Sequence, residues 1–239
     1  MLSFLYKLFP QIFKRRFETL LFLPWAIVDP KWFWFFQLML ENANVPKKYR
    51  YMFCPKEENS IFIDCGANVW LIIDIARFMD MEVYAFEPNP QAIKLLNKKY
   101  IEDKKVHIYP NAVSNKHWKM DFFLNESLMF DQSATIIEEC AEREGWKNEK
   151  ATVDIVKFTE VIKKCILPKH KKIHLLKLDI EGAEFDVIDD IINEWVYKHI
   201  KYIVVETHER FFTDWKQRIK ILQKKIQEKG IDNIYLDRI

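Results

Sequence analysis

Glycine is scarce, with four in 239 residues. A dinucleotide-binding turn of the GxGxxG type needs three in six positions, so that the backbone can approach a pyrophosphate. The densest glycine turn here starts at Gly66, and its window reads GANVWL, with one glycine. That excludes a nicotinamide or flavin dinucleotide site of the usual kind, and with it a nucleotide-dependent oxidoreductase. Cysteine is sparse as well. Cys54, Cys65, Cys140 and Cys165 form no CxxC pair, so neither a zinc knuckle nor a redox dithiol is indicated, and reduced thiols of a cytoplasmic protein are expected. Charge of one sign is lacking too: the net charge is +2, which gives nucleic acid no electrostatic reason to bind. Long apolar runs are missing. The longest uncharged stretches, Thr19–Val28 and Trp32–Leu40, are about half the twenty or so residues a spanning helix needs. No small-residue cleavage site follows them, so no signal peptide is expected.

What is abundant is apolar surface. Apolar residues make up 49% of the chain and charged residues 30%, the balance of a folded globular protein rather than a disordered one. Residues 1–55 stand apart, dense in Phe, Trp and Leu. A run such as Trp32-Phe33-Trp34-Phe35-Phe36 is too apolar to lie bare in a monomer. Three placements fit: a cap on the rest of the chain, a homo-oligomer interface, or a peripheral membrane segment with Lys7, Lys14, Arg15 and Arg16 toward headgroups. Residues 56–239 are expected to form one α/β domain. Pro46–Ser60 reads as a polar linker or edge helix.

Strand and helix patterns alternate from there. The spacing predicts strands at 61–65, 82–86 and 105–110, and helices at 68–79 and 89–99. Extra strands are predicted at Met120–Leu124 and Thr152–Phe158, followed by a short helix N-capped by Thr159. A strand at Ile173–Leu178, a helix at Ala183–Tyr197 with Trp195 in its buried stripe, a strand at Lys201–Glu206, a helix at Asp214–Lys229 and a short strand at Asn233–Leu236 complete the pattern. Alternation of this kind argues for a mostly parallel central sheet flanked by helices.

Two motifs carry chemistry. The first is Asp64-Cys65-Gly66-Ala67-Asn68, followed through a helix and a strand by Glu87-Pro88. An acid at the end of the first strand opposes a phosphate and suits a cation such as an amino-acid ammonium. Glu87, at the end of the next strand, is placed to accept hydrogen bonds from ribose hydroxyls. A ligand with a ribose, an ammonium group and no phosphate is S-adenosylmethionine. Asn68 reads as the helix N-cap, leaving backbone N–H groups for the ligand's carboxylate. Asn111-Ala112 closes the third strand, where an adenine would be read. The second motif is LLKLDIEGAE. Alternation puts Lys177, Asp179 and Glu181 on one face near the strand end, a costly cluster to bury without a reason. Glu206 and His208 share a face on the neighbouring strand. Asp179 is the stronger candidate for a base that takes the acceptor's proton, and His208 the second, although a lone histidine is more often structural. Asp179, Glu181, Glu206 and His208 could surround a metal ion, but a site without metal is the expectation.

In order, FIDCGAN, VYAFEPNP, NAVS, LLKLDIEGAE and IVVETHE resemble the FkbM family of S-adenosylmethionine-dependent methyltransferases, over about residues 60 to 237. The resemblance implies a Rossmann-like methyltransferase fold. It also implies methyl transfer to a hydroxyl oxygen, on a sugar or polyketide-type acceptor. Carried over, Asp64, Gly66, Asn68 and Glu87 would hold the cofactor, and Lys177, Asp179 and Glu181 would line the methyl-transfer end. The chain departs from the pattern at Trp70, where the family motif has a second glycine. An indole there motivates an alternative, a methyltransferase-like scaffold that no longer binds the cofactor.

Overall fold

The computed structural model describes residues 30–69, 71–124, 149–208 and 212–236. Trp70 and most of the aromatic N-terminal segment lie outside them. The chain divides into two compact units, Met1–Pro46 and Lys47–Ile239. In the first, helix α1 spans Pro30–Asn42. Its leading proline gives up an N–H that a helix start leaves unpaired anyway. Asn44, at φ 55°, turns the chain out of it. No described helix is long and apolar enough to cross a membrane.

The second unit is built on a six-stranded parallel sheet. Its strands are β1 (Ile61–Cys65), β2 (Glu82–Phe86), β3 (Val106–Tyr109), β7 (Ile173–Leu178), β8 (Ile200–Val205) and β9 (Ile234–Tyr235), in spatial order β3-β2-β1-β7-β8-β9. Every neighbouring pair is parallel. The order runs outward from β1 and reverses between β1 and β7, which is the doubly wound, Rossmann-like arrangement with its crevice at the reversal. β1 and β7 are buried at every position, as a parallel strand covered on both sides must be.

In-register pairing sorts the side chains. Ile61, Ile63 and Cys65 face the same way as Tyr84 and Phe86, and Leu176 and Leu178 continue that layer. They pack with Phe158, Ile162 and Ile166 of α4 (Phe158–Val161, continued by a π-helical turn at Ile162–Ile166) and with Ile188, Ile191 and Ile192 of α5 (Glu184–Asn193). Helix α6 (Trp215–Glu228) adds Leu222 to this core. The other face carries Phe62, whose ring lies 5.9 Å from that of Phe53. Phe53 ends a 3-10 helix, Lys47–Phe53, with Tyr49 and Met52 buried beside it. Helices α2 (Leu71–Phe78) and α3 (Pro90–Tyr100) are tied together by the Tyr100 hydroxyl, which donates to Asp74 at 2.7 Å. Asn89 caps α3 by accepting from the Gln91 N–H at 2.9 Å.

Pro110 ends the run after β3. With no N–H it cannot extend the ladder, and the chain leaves the main sheet. Asn111 and Ala112, expected to close the third strand, instead open a strand of their own, β4 (Asn111–Ser114). It pairs in parallel with β6 (Glu149–Lys157), and β5 (Trp118–Leu124) runs antiparallel on β6's other side, giving a second sheet in the order β4-β6-β5.

Three expectations change. The first helix begins at Leu71, not 68. Thr159 does not cap α4; it lies inside the helix, and its hydroxyl donates to Asp190 at 2.6 Å. The helix predicted to reach Tyr197 ends at Asn193, because Trp195 adopts φ 61°. That reversal throws the indole outward, 53% exposed, with the Lys198 ammonium 4.2 Å from its ring centre.

Candidate functional site

The crevice is floored by the turn after β1. Gly66 has φ 81°. A Cβ there would lie 1.7 Å from the carbonyl oxygen of Asp179, so no other residue fits. The N–H groups of Gly66 and Ala67 both donate to Phe86 O, at 3.0 and 3.2 Å, fastening the turn to the end of β2. Next door stands Glu87. Its Oε2 accepts the Asn68 N–H at 2.7 Å and its Oε1 the Asn89 N–H at 2.8 Å. Burial pushes its carboxyl up to about 7, against the pull of those two hydrogen bonds. Each carboxylate oxygen has two lone pairs, so each keeps one acceptor position. Asn68 therefore does not work as an N-cap with a free N–H: it sits at φ 43°, and its N–H belongs to Glu87.

Asp64 lies behind this turn, wholly buried. The cation predicted beside it is one of the chain's own. Lys177 Nζ is 3.3 Å from Asp64 Oδ1 and 3.0 Å from Asp179 Oδ2, and it donates to Gly66 O at 3.3 Å. Burial disfavours the ammonium, but Asp179 and Asp64 outweigh it, and the lysine pKa moves up. Burial also raises Asp64, with Lys177 opposing. The approach of Lys177 is close enough for an ion pair but poorly aligned for a hydrogen bond. Among the described residues no donor reaches either Asp64 oxygen in hydrogen-bonding geometry. A buried carboxylate with that much unused acceptor capacity asks for a donor.

The other side of the crevice is built from the end of β7 and the loop after β8. The Asp179 side chain reaches the opening, 28% exposed. Its Oδ1 is 3.6 Å from His208 Nε2, and Glu181 Oε2 is 3.2 Å from the same nitrogen. His208 Nδ1 lies 2.7 Å from Glu184 Oε1. Burial works against a charged ring, but the hydrogen bonds the ring donates to Glu181 and Glu184 win and push His208 up to about 10. That shift favours the protonated ring, which makes Asp179 the better placed of the two candidate bases. Asp179, Glu181 and His208 offer ligand atoms within 4.8 Å of one another. They form the group among the described residues that could hold a metal ion, but the His208 N–H already points into that space.

A family model described as the methyltransferase FkbM domain matches residues 64–230. The chain belongs to this family. Its matched span opens on Asp64 and takes in both motifs. No curated protein matches the chain. Among solved structures, the crystal structure of methyltransferase FkbM from Methylobacillus flagellatus KT aligns over 72% of this chain and 38% of its own, at 13% identity and a TM-score of 0.40. The chain thus spans well under half of that protein's length.

Within this FkbM domain, the sequence motifs converge as the spacing predicts. Asp64, Gly66, Ala67 and Glu87 gather at one turn, with Pro88 next to it. Lys177, Asp179, Glu181 and His208 gather at the adjoining strand ends. Two expected residues stand apart. Glu206 is not in the group formed by Asp179, Glu181 and His208; its N–H extends the ladder to Leu178 O at 2.9 Å. Asn111 spends its side-chain amide on Asp154 O, at 3.4 Å, inside the second sheet, while Ala112 is buried beside it. One residue was missed. Glu184 looks in the sequence like an ordinary first-turn acid answering the helix dipole. The only hint of more is its spacing from Glu181 across a glycine.

Proposed function

We propose that this FkbM-family chain transfers a methyl group from S-adenosylmethionine to a hydroxyl oxygen of a sugar or similar small acceptor. The observation that carries the reading is Glu87. It is a buried carboxylate whose oxygens are each fixed by one backbone N–H and each keep one acceptor position, beside a turn whose Gly66 can carry no side chain. Two vicinal hydroxyls of a ribose match that pair of acceptors. Asp64, buried behind the turn with no hydrogen-bond donor on its oxygens among the described residues, is the second support for a cationic ligand group nearby. When bound, the cofactor supplies a methyl group on a sulfonium, a good leaving group.

The chain's own residues then have mainly to position and to take a proton. Gly66 and Ala67 hold the turn open. Lys177 fixes one oxygen of Asp179, and the other, 3.6 Å from His208 Nε2, would accept the acceptor's hydroxyl proton. A carboxylate is a modest base, and it suffices for a hydroxyl whose proton becomes acidic as its oxygen is alkylated. The second sheet is the part free to shape the acceptor pocket.

Calorimetry with S-adenosylhomocysteine tests this. The wild type should bind, and E87Q, which keeps the side-chain volume, should lose at least about tenfold in affinity, the size of one or two hydrogen bonds to a charged group. Absence of heat from the wild type, or equal affinity in E87Q, would overturn the cofactor site. Trp70, outside the described residues, motivates the one competing reading, a scaffold without cofactor, and W70G separates the two. Binding that appears only in W70G would favour the scaffold.

A further inference from the structure

Glu184 is wholly buried, although an acid in the first turn of a helix can answer the helix dipole from the surface. Instead it turns back onto the loop that precedes it. The Ile180 N–H donates to its Oε1 at 3.0 Å and the Gly182 N–H to its Oε2 at 3.0 Å. His208 Nδ1 adds a third donor at 2.7 Å.

The residue between the two gripped N–H groups is Glu181, and it is strained. Glu181 has φ 54° and Gly182 φ 114°. A non-glycine residue persists in the left-handed region only where its surroundings over-determine it. Glu184 supplies that constraint on both sides of Glu181. It acts on Glu181 a second way as well. The imidazolium it orients through Nδ1 presents Nε2 to Glu181 Oε2 at 3.2 Å and to Asp179 Oδ1 at 3.6 Å. No other side chain has this chemistry and reach. Glutamine offers one acceptor oxygen for three donors and would set an amide N–H against a backbone N–H. Aspartate is a methylene short.

We infer that Glu184 is a positioning residue for the acceptor side of the site, clamping the Ile180–Gly182 turn and His208 together so that the Asp179 and Glu181 carboxylates stay at the crevice edge. The role at an acceptor edge rests on the methyl-transfer reading above. The clamp itself does not, and its test needs neither cofactor nor acceptor.

Two measurements on the full chain decide it. The first is the ring-nitrogen NMR titration of His208. In the wild type the doubly protonated ring should persist from about pH 6 to about pH 9, and in E184Q its midpoint should fall by at least about one pH unit. A wild-type ring that deprotonates below about pH 8, or a midpoint unmoved in E184Q, overturns the clamp. The second is a stability cycle by chemical denaturation with E184Q, E181G and the double variant. Glycine carries no penalty in the left-handed region, so E184Q should destabilise the E181G background less than half as much as it does the wild type. Equal losses in both backgrounds overturn the role at the turn, and if E184Q does not fold, E184D takes its place in the cycle. S-adenosylhomocysteine affinity is the separating control. It should be within about twofold of wild type in E184Q, because Glu184 does not touch the Gly66 turn, and a loss as large as that of E87Q counts against an acceptor-side role. A wild type that binds no S-adenosylhomocysteine would overturn the cofactor reading alone, since the ring titration and the cycle judge the clamp without it.

Discussion

A single added methyl group at Gly66 has nowhere to go. Its Cβ would overlap the Asp179 carbonyl, and the left-handed backbone disfavours alanine as well. G66A is therefore expected to lose at least about 3 kcal/mol of stability by chemical denaturation; a loss under about 1 kcal/mol would mean the turn relaxes freely. This residue was legible, because a glycine between a strand acid and a helix marks a turn in any chain. Its neighbour Lys177 was legible only as a charge. That it answers Asp64 depends on β1 lying beside β7, which no local pattern reports. The surroundings of His208 were hidden for the same reason. A histidine in a sequence shows its own chemistry and not its partners, and here three carboxylates around the ring favour its charged form.

Among the elements, the central strands were read to the residue or nearly so, because each is a continuous apolar run with a polar end. The errors cluster at helix ends, two at a start and one at a stop. Trp195 falls on the apolar period of α5, and periodicity cannot see that its backbone reverses just past Asn193, where the helix ends. The exposed indole makes a clear prediction. A buried tryptophan truncated to a small residue would lose about 3–5 kcal/mol, but W195G should change stability by no more than about 1 kcal/mol, since relief of the left-handed strain offsets the lost lysine contact. Denaturant midpoints of the two proteins check this. The strand β4 escaped notice because four residues, Asn-Ala-Val-Ser, carry no alternation long enough to read, and its partner β6 lies beyond a long insertion.

For the molecule as a whole, two buried groups tilt stability toward acid. Glu87 has a folded-state pKa of about 7, above its ordinary value of 4.5. The folded protein thus holds more protons than the unfolded chain between those values, and stability falls as pH rises through that window. His208, raised from 6.5 to about 10, contributes stability that is complete below the ordinary histidine value and lost as pH climbs toward 10. The melting temperature should therefore decline from about pH 6 toward about pH 10. E87Q should remove the part of the slope below about pH 7, and a wild type whose melting temperature rises over this range would contradict both assignments.

The contact between Gly66 and Asp179 also bears on how the protein comes to be folded. Lys177 and Gly66, which share a hydrogen bond, are 111 residues apart in the chain. Closing so long a loop is entropically expensive and slow. The strands β1, β2 and β3 can pair as soon as they are made, but the turn that Gly66 forms has no floor until β7 arrives beside it. A growing chain that has not yet produced the LLKLDIEGAE segment carries half a crevice with an unanswered buried acid, and the pocket comes into being in one late step, when the two halves of the sheet meet.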